Sequence, residues 1–537
     1  MIARSKRAPQ ILPVFKGEFD RVLSELERGS LYLVLVWLAL IVAIGVIKAW
    51  YKPLWLDEIM SVLISKLPNS ADIWAVCKSG ADNQPPFYHY VTRACVRLFG
   101  NDAFGVRAPS LAGYILLCTC LYWFLARRTS RLYGLIALLI PGVTGCWEYA
   151  TEARPYALVM GCAAMAAVCW QSIVMEEKRR LALFGLSISL AAAFSLHYFS
   201  PVLIAPFAFA ELVRTYRRRR PDFSVWLALA IPFLVLIPLV PVILATRINS
   251  GLPFAWYARP SLYGSLENFA SQFLNPSLVA LIALNCIYLV YRILWPRQTA
   301  DFVHISKLKE LAPDAALILG LTIVPVLAVL LAKLVTHVFF NRYAATGMIG
   351  IVALIAAGIW LAFSGRKGPA VAAMLVFGGV FAHRAYYDLK SAHEQWTNLS
   401  RGGGIKHVPS AAGSDNLPIV AAGPNEFMDL TQYGDRALRH RLYYVSSEQI
   451  AARIMGFSFL ERMMIGSAPF FGTQVMNYDD FLQAHPKFYL FGSPNWWLYP
   501  KLIADHARIE MLQAGLADQF GNYADFFCLV DTHRSRN

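Results

Sequence analysis

The chain has 537 residues, of which 57% are hydrophobic and only 15% are charged. Soluble domains carry about 25% charged residues, so this composition excludes an ordinary soluble enzyme and indicates a polytopic membrane protein. The formal net charge of +15 does not favour nucleic-acid binding, because the basic residues lie in short loops and form no stripe interleaved with aromatic residues.

Apolar runs of membrane-spanning length follow one another along the first three quarters of the chain. The first run is too long for a signal-peptide core of roughly 7–15 residues, so we expect it to be retained as a helix. The run at 200–213 is short and is expected to tilt or re-enter. We predict about eleven spanning helices, at residues 31–50, 110–126, 132–147, 156–175, 181–197, 200–213, 224–246, 275–294, 314–335, 344–363 and 369–387.

Basic residues fill every second loop between these spans. Cytoplasmic loops carry the excess of Lys and Arg, so this alternation predicts that the N-terminal segment 1–30 is cytoplasmic. It places the loop 51–109 and the region after 390 on the outer face. The basic groups are Arg127, Arg128 and Arg131; Lys178, Arg179 and Arg180; Arg214 and 217–220; Arg292, Arg297, Lys307 and Lys309; and Arg366 with Lys367.

The region 391–537 has no spanning run and alternates strand-like with helix-like stretches. This alternation predicts a small extracytoplasmic α/β domain with a largely parallel sheet, joined through a Gly- and Ser-rich linker at 398–416. We expect strands in "LPIVAAG", "RLYYVSS", "KFYLFGS" and "DFFCLV", and helices in "NEFMDLTQYG", "YDDFLQAH" and "IADHARIEMLQAG". The fold class is thus mainly α, with spans over 31–390 and an α/β domain at the C-terminus.

Two adjacent carboxylates, Asp57 and Glu58, follow the first span in "YKPLWLDEIMSV". Apolar neighbours would raise a carboxylate's pKa unless a cation or metal offsets the burial, and such sites are often functional. A carboxylate at the membrane surface can act as a general base or hold a metal. The competing interpretation is an interfacial acidic pair in wet headgroups. Lys48 and Lys52 lie near the pair in the sequence.

The segment "ADNQPPFYHYVTRACVRLFG" at 81–100 lies in the same outer loop. Its tandem prolines stiffen the start of a helix that carries apolar residues at helical spacing, as in an interfacial amphipathic helix. Gln84 and Tyr88 are candidate substrate-binding residues. The alternative is a simple surface anchor.

Two arginines enter spans from the outer face, Arg154 in "WEYATEARPYALVM" and Arg342 in "THVFFNRYAATGMIG". They run against the positive-inside bias, so each calls for a carboxylate or an anionic ligand. For Arg154, a salt bridge to Glu148 or Glu152 is an equally good explanation from spacing. Together the arginines could bind a phosphate while the carboxylate acts beside it.

In order, "WLDE", "DNQPPFYHY", "EARPYAL" and "FFNRYAATG" resemble the C-type fold (GT-C) membrane glycosyltransferases, over roughly residues 31–390. The nearest group is the bacterial relatives of the protein O-mannosyltransferases and of lipid A aminoarabinose transferase. The resemblance implies an inverting transfer of a sugar from a polyprenyl-phosphate donor to a protein, lipid or glycan acceptor outside a bacterial inner membrane.

The resemblance also implies roles for individual residues. Asp57 matches the acidic residue that activates the acceptor, and Glu58 matches its neighbour, which helps to position donor or acceptor. Arg154 and Arg342 match arginines that hold the lipid phosphate. Their aromatic companions are Tyr156 and Tyr343.

One position departs from that pattern. Many relatives have His before the proline pair, where this chain has Gln84. Glutamine cannot titrate and is a poor replacement for imidazole as a metal ligand, so the need for a divalent metal stays open, with His89 a weak substitute.

Two other classes of function stay open from the sequence: a transporter or flippase of lipid-linked sugars, and a membrane scaffold without catalysis. Transporters place charges near the bilayer midplane and often contain repeats, whereas the charges here cluster at one face. Cys77 and Cys95 share the outer loop, where oxidation is permitted, so a disulfide between them is a further expectation.

Overall fold

The computed structural model describes residues 11–249, 258–274, 310–401, 415–516 and 525–533, with a few single positions between 278 and 287. The described part is helical up to residue 401. Its helices are α1 Ile11–Arg28, α2 Ser30–Tyr51, α3 Leu56–Ser65, α4 Ser70–Lys78, α5 Pro86–Phe99, α6 Asp102–Ala126, α7 Arg131–Leu139, α8 Tyr156–Val174, α9 Arg179–Leu196, α10 Ile204–Arg218, α11 Phe223–Ala230, α12 Val240–Asn249, α13 Leu262–Phe273, α14 Ala312–Thr322, α15 Val324–Leu331, α16 Gly347–Ala362 and α17 Lys367–Arg401.

Five of these helices are long and apolar enough to cross a membrane, and the number rises to eight if each of three bent helix pairs forms one span. The pairs bend by 72°, 64° and 46° at breaks near residues 144, 238 and 323. Each predicted span coincides with a helix or a bent pair, apart from 275–294, which lies outside the described residues. Helices α10 and α16 have 15 and 16 residues and do not count among these spans. The number of spans in the described part is therefore lower than the predicted eleven.

Helices α6 and α8 pack closely because glycines face each other where they meet. A Cβ on Gly113 would lie 2.5 Å from the backbone of Leu158, and one on Gly161 would lie 2.5 Å from the carbonyl oxygen of Gly113. Small residues let helix backbones approach in this way within membranes. This contact holds the first turns of α8, which begins two residues after Arg154.

Three short helices, α3, α4 and α5, fill the loop between the spans α2 and α6. Helix α5 confirms the predicted amphipathic helix: it begins at Pro86 and ends before Gly100, whose φ of +64° is the left-handed conformation that favours glycine. Asn101 then caps α6 by accepting a hydrogen bond from the N–H of Phe104 at 2.8 Å.

The C-terminal part forms a six-stranded sheet in the order β3-β2-β1-β4-β6-β5. The strands β1 to β4 pair in parallel, while β6 pairs antiparallel with both β4 and β5. The strands are β1 Ile419–Ala421, β2 Leu442–Ser446, β3 Gln474–Asn477, β4 Lys487–Gly492, β5 Arg508–Leu516 and β6 Asp525–Asp531; the helices are α18 Pro424–Tyr433, α19 Arg436–Arg441, α20 Glu448–Met455, α21 Phe459–Phe471, α22 Tyr478–Ala484 and α23 Leu498–Ala504. A small α/β domain is therefore confirmed.

This sheet domain packs on the short helices that follow the first span. The hydroxyl of Tyr433 in α18 accepts a hydrogen bond from the N–H of Leu54 at 2.7 Å. Directly after α4, the hydroxyl of Ser79 donates to the carbonyl oxygen of Gly466 in α21 at 3.0 Å. One buried apolar cluster includes both Met60 of α3 and Phe427 of α18.

Three expectations for these regions are wrong. The stretch 503–515 is not one helix, because most of it forms the edge strand β5. The predicted linker begins too early, since α17 continues to Arg401 before the residues 402–414, which lie outside the described part. Cys77 and Cys95 are both free thiols, so the expected disulfide is absent.

Candidate active site

Asp57 lies in the first turn of α3, where it meets two arginines. Oδ2 of Asp57 lies 2.6 Å from Nη2 of Arg154 and 3.6 Å from Nη2 of Arg342. A carboxylate is favoured in the first turn of a helix because the unpaired backbone N–H groups and the helix dipole are positive there. The structure thus brings together three side chains that are distant in sequence and that the sequence analysis groups.

Arg154 is held between two carboxylates. Its Nε donates to Asp57 at 3.1 Å, and its Nη1 lies 3.2 and 3.3 Å from the two oxygens of Asp82. Burial alone would raise the pKa of Asp82, but Arg154 and the nearby His89 lower it to about 2. Asp82 is therefore a carboxylate at neutral pH, and the charge of Arg154 is fully balanced.

The backbone around Arg154 makes a tight turn. The N–H of Arg154 donates to the carbonyl oxygen of Glu152 at 2.7 Å, which closes a three-residue γ-turn centred on Ala153. Ser110 of α6 donates to the carbonyl oxygen of Arg154 at 2.9 Å. The alternative of a side-chain salt bridge from Arg154 to Glu148 or Glu152 is absent from the described part of the chain, since Arg154 pairs with Asp57 and Asp82 instead.

Aromatic rings surround the guanidinium of Arg342. Its Cζ lies 4.9 Å from the ring centre of Phe340 and 5.7 Å from that of Tyr156. Tyr343 stacks beside Tyr156 with centroids 6.5 Å apart, and His197 lies 4.9 Å from Tyr343. Arg342 is a quarter exposed and approaches its carboxylate partner less closely than Arg154 does, so it is the more available cation.

Glu58 has a different environment from Asp57, although the two are adjacent. Its carboxylate forms a two-pronged ion pair with Arg107 of α6, and both side chains are completely buried. Arg107 also donates to the backbone oxygens of Ala49, Lys52 and Pro53 at 2.6–2.8 Å. We call this set, centred on Arg107 and Glu58, the closed cluster. It ties the end of α2 and the start of α3 to α6.

The closed cluster extends to the turn that carries Arg154. The N–H of Ala153 donates to Oε1 of Glu58 at 2.8 Å, and Ser61 donates to the carbonyl oxygen of Ala153 at 3.3 Å. Burial alone would raise the pKa of Glu58, but the charges of Arg107 and Lys52 hold it below the usual value. Glu58 is therefore ionised, and it holds the backbone at Ala153, next to Arg154.

Two of the remaining predicted residues lie near the same centre: the charge of Lys52 acts on Glu58, and the charges of Arg154 and Glu58 act on the Tyr88 hydroxyl. Lys52 is half-buried, and no carboxylate in the described part of the chain lies within ion-pair distance of its ammonium group, although its charge acts on Glu58 and Glu152. Gln84 and Tyr88 are buried, and the Gln84 oxygen and the Tyr88 hydroxyl lack a hydrogen-bond partner among the described residues. Buried polar groups are normally paired, so these two lack a partner that the described residues do not supply.

The described residues do not form a ready metal site. No group of three His, Cys, Asp or Glu side chains among them is placed to hold a metal ion. His89 is fully buried, and its Nε2 lies 3.1 Å from Asp82, but this pair supplies only one imidazole and one carboxylate, and the Gln84 side chain is a poor metal ligand. We therefore derive no step through a metal.

Sequence reasoning missed two charged residues of the site, Arg107 and Asp82. The sequence signal for Arg107 is its position beside a long apolar run. An arginine there is costly unless it pairs with a buried acidic group. Asp82 stands next to the proline pair in "ADNQPP", and only the fold shows that it faces Arg154.

The fold and this polar centre define a polytopic, mainly helical membrane protein with charged side chains gathered beside the short helices that follow its first span. The family described as dolichyl-phosphate-mannose-protein mannosyltransferase matches residues 83–244, a segment that includes Arg107 and Arg154. A comparison with curated proteins finds no match.

Solved structures of ArnT from Cupriavidus metallidurans have a similar fold. The structure bound to undecaprenyl phosphate shares 12% sequence identity at a TM-score of 0.57, covering 93% of this chain and 98% of ArnT. The apo structure shares 13% identity at a TM-score of 0.55 with the same coverage. The family match and the shared fold confirm the predicted resemblance to GT-C membrane glycosyltransferases.

Proposed function

We propose that this protein transfers a sugar from a polyprenyl-phosphate donor to an acceptor on the outer face of the membrane, with inversion at the anomeric carbon. The observation that carries the proposal is a carboxylate, Asp57, held between Arg154 and Arg342 at the end of a membrane helix bundle. The fold is shared with ArnT, which has been solved bound to undecaprenyl phosphate.

In this mechanism, Arg342 and Lys52 bind the donor phosphate. Both are cations with spare capacity: Arg342 lies 3.6 Å from its carboxylate partner, and Lys52 has no carboxylate within ion-pair distance in the described part. The planar guanidinium group presents paired N–H donors that can bind two oxygens of a phosphate. Tyr156 and Tyr343 form the aromatic wall that orients Arg342.

The reaction is a single displacement. The acceptor oxygen attacks the anomeric carbon as Asp57 takes its proton, the bond from that carbon to the phosphate oxygen breaks, and the electron pair remains on the phosphate. Arg342 and Lys52 stabilise the charge that develops there. Attack from the face opposite the phosphate inverts the configuration.

Arg154 and Glu58 act mainly through other residues. Arg154 is saturated by Asp57 and Asp82, so it positions the base and contributes its field to the phosphate site. Glu58 positions α3 through Arg107. Gln84 and Tyr88, with their unpaired polar atoms, hydrogen-bond the sugar or the acceptor.

The proposed arrangement in the membrane follows from the alternation of basic loops. Residues 1–30 are cytoplasmic, residues 31–390 form the transferase domain with its catalytic outer loop 51–109, and residues 391–537 form an outer domain that shapes the acceptor site. The contact between Tyr433 and Leu54 supports this assignment, because it joins the sheet domain to the segment before Asp57. A bacterial inner membrane is the proposed location.

The test is transfer by the purified, full-length protein in lipid nanodiscs. A panel of undecaprenyl-phosphate sugars would be incubated with labelled protein, lipid and glycan acceptors, and both the release of undecaprenyl phosphate and the labelling of acceptor would be measured. We expect acceptor-dependent release with at least one donor, and an inverted anomeric configuration by NMR. Folded protein that releases nothing with any donor would contradict the proposal.

A further inference from the structure

Glu152 is an acidic side chain beside the active centre that the mechanism above leaves unused. It is half-buried, and no cation in the described part of the chain lies within ion-pair distance of its carboxyl group. Its backbone is held in place, because its carbonyl oxygen closes the γ-turn at Ala153 and the N–H of Ala153 donates to Glu58. A constrained acid without a paired cation is suited to meet a ligand.

The charges that face Glu152 come from several elements. Lys52 at the end of α2 and Arg342 before α16 attract its carboxylate, while Asp57 and Glu58 of α3 repel it. Tyr149, in the segment before α8, is a further neighbour. Burial is the largest influence, and it raises the pKa of Glu152 to about 6 in spite of the two cations. The group therefore changes charge close to physiological pH.

The two cations near Glu152 are those that the proposed function assigns to the donor phosphate. An ionised Glu152 would compete with the phosphate for Lys52 and Arg342 and would repel it. A neutral Glu152 removes that competition and offers an O–H donor to a phosphate oxygen. The site therefore suits an anion best when Glu152 is protonated.

We propose that Glu152 binds the donor phosphate as the neutral carboxylic acid and passes its proton to that phosphate as the sugar leaves. This inference rests on the proposed transferase function and adds a catalytic residue to it. The bond between the anomeric carbon and the phosphate oxygen breaks with its electron pair on the phosphate, which accepts the proton of Glu152. The acceptor's proton goes to Asp57, and both carboxyl groups reset by exchange with water.

The proton affinities of the two partners agree with this step. The donor is a phosphodiester, whereas the product is a phosphate monoester whose second pKa is about 6. Proton transfer contributes most to a rate when donor and acceptor are matched close to the working pH. Below its pKa Glu152 is protonated and admits the phosphate, and above it donor binding weakens.

The test uses a probe that carries no sugar. Geranylgeranyl methyl phosphate is a diester with one negative charge throughout neutral pH, so its own titration cannot produce a pH effect. Its affinity for the full-length protein would be measured at pH 6 and pH 8, for the wild type and for Glu152→Gln. The matched control is Glu148→Gln, because Glu148 is a nearby acid already paired with Lys48 and Arg384.

We expect the wild type and Glu148→Gln to bind the diester at least about tenfold more weakly at pH 8 than at pH 6, since binding that requires a protonated group weakens about tenfold per pH unit above its pKa. Glu152→Gln should bind equally at both values. In transfer assays, the kcat of Glu152→Gln should fall about tenfold to a hundredfold. This loss is at or below the low end of the range for general acid catalysis, because phosphate is already a good leaving group.

A wild type that binds the diester equally at pH 6 and pH 8, or a Glu152→Gln variant that keeps the full pH effect, would overturn the inference. If Glu152→Gln fails to fold, Glu152→Asp keeps the titration and should retain the pH effect with weaker binding. Failure of the proposed function is distinguishable: the diester would then bind with its pH dependence through Glu152, but no sugar donor would react.

Discussion

Two clusters of charge meet at α3, and they are built in opposite ways. In the closed cluster, Glu58 and Arg107 are both 0% exposed and the hydrogen-bonding groups are used. We call the set of Asp57, Arg154 and Arg342 the open centre. Within it, the side chain of Asp57 is 14% exposed, that of Arg342 is 25% exposed, and the two lie 3.6 Å apart. Neighbouring residues in a helix point about 100° apart, so two adjacent carboxylates reach these different environments. We therefore expect the closed cluster to stabilise the fold, and we propose the open centre as the ligand site.

The comparison predicts the largest loss of stability for Arg107→Met. This substitution leaves Glu58 as a buried carboxylate without its partner, which costs about 3–5 kcal/mol. The apparent melting temperature in detergent should fall by many degrees. Because the penalty comes from the unpaired charge, the double variant Arg107→Met with Glu58→Leu should recover part of it. A single variant as stable as the wild type would show that the closed cluster is not structural.

In the open centre, Arg342→Gln should impair donor binding and leave the melting temperature close to that of the wild type. A hydrogen bond to a charged group contributes about 1.5–3 kcal/mol, so the donor KM should rise about tenfold to a hundredfold. Arg384→Gln is the control, since Arg384 pairs with Glu148 away from Asp57. An equal rise of KM in both variants would point to a general loss of surface charge.

His197 sharpens the comparison through pH. Burial, with Arg342 and Arg154, lowers its pKa to about 3, so it is neutral in the folded protein and gains a proton on unfolding below about pH 6.5. Because the unfolded chain then binds more protons, the free energy of unfolding decreases as the pH is lowered, by about 2 kcal/mol from pH 6.5 to pH 5. His197→Phe should remove this part of the acid sensitivity. The measurement is the difference in melting temperature between pH 7 and pH 5; an unchanged difference would contradict the prediction.

The smallest expected effect belongs to Tyr433→Phe. The loss of its hydrogen bond with the N–H of Leu54 should cost about 0.5–1.5 kcal/mol, which is the net contribution of a typical hydrogen bond. Transfer should fall by less than tenfold. Thermal unfolding and initial rates would be measured together. A complete loss of transfer with an intact fold would instead place the sheet domain within the reaction centre.

Much of this organisation could be predicted from sequence where the local signals agree. Helix α5 was predicted because Pro86 and Gly100 mark its ends, and Asp57, Arg154 and Arg342 were grouped because each follows or precedes a span on the same face. The charge partners Arg107 and Asp82 could not be predicted, since burial and pairing depend on the fold. Strand β5 was misjudged because Arg508–Leu516 is rich in helix formers, and its pairing with β6 overrides that propensity.

The most direct test of the central claim compares the two adjacent carboxylates. Asp57→Asn and Glu58→Gln would be purified in parallel, and sugar transfer and melting temperature would be measured for both. We predict that Asp57→Asn keeps its melting temperature within a few degrees but loses transfer by about 10²–10⁴-fold, the range expected for a general base. Glu58→Gln should instead lower the melting temperature, because Glu58 is the buried partner of Arg107. Wild-type transfer by a folded Asp57→Asn variant would contradict the assignment of Asp57 as the base.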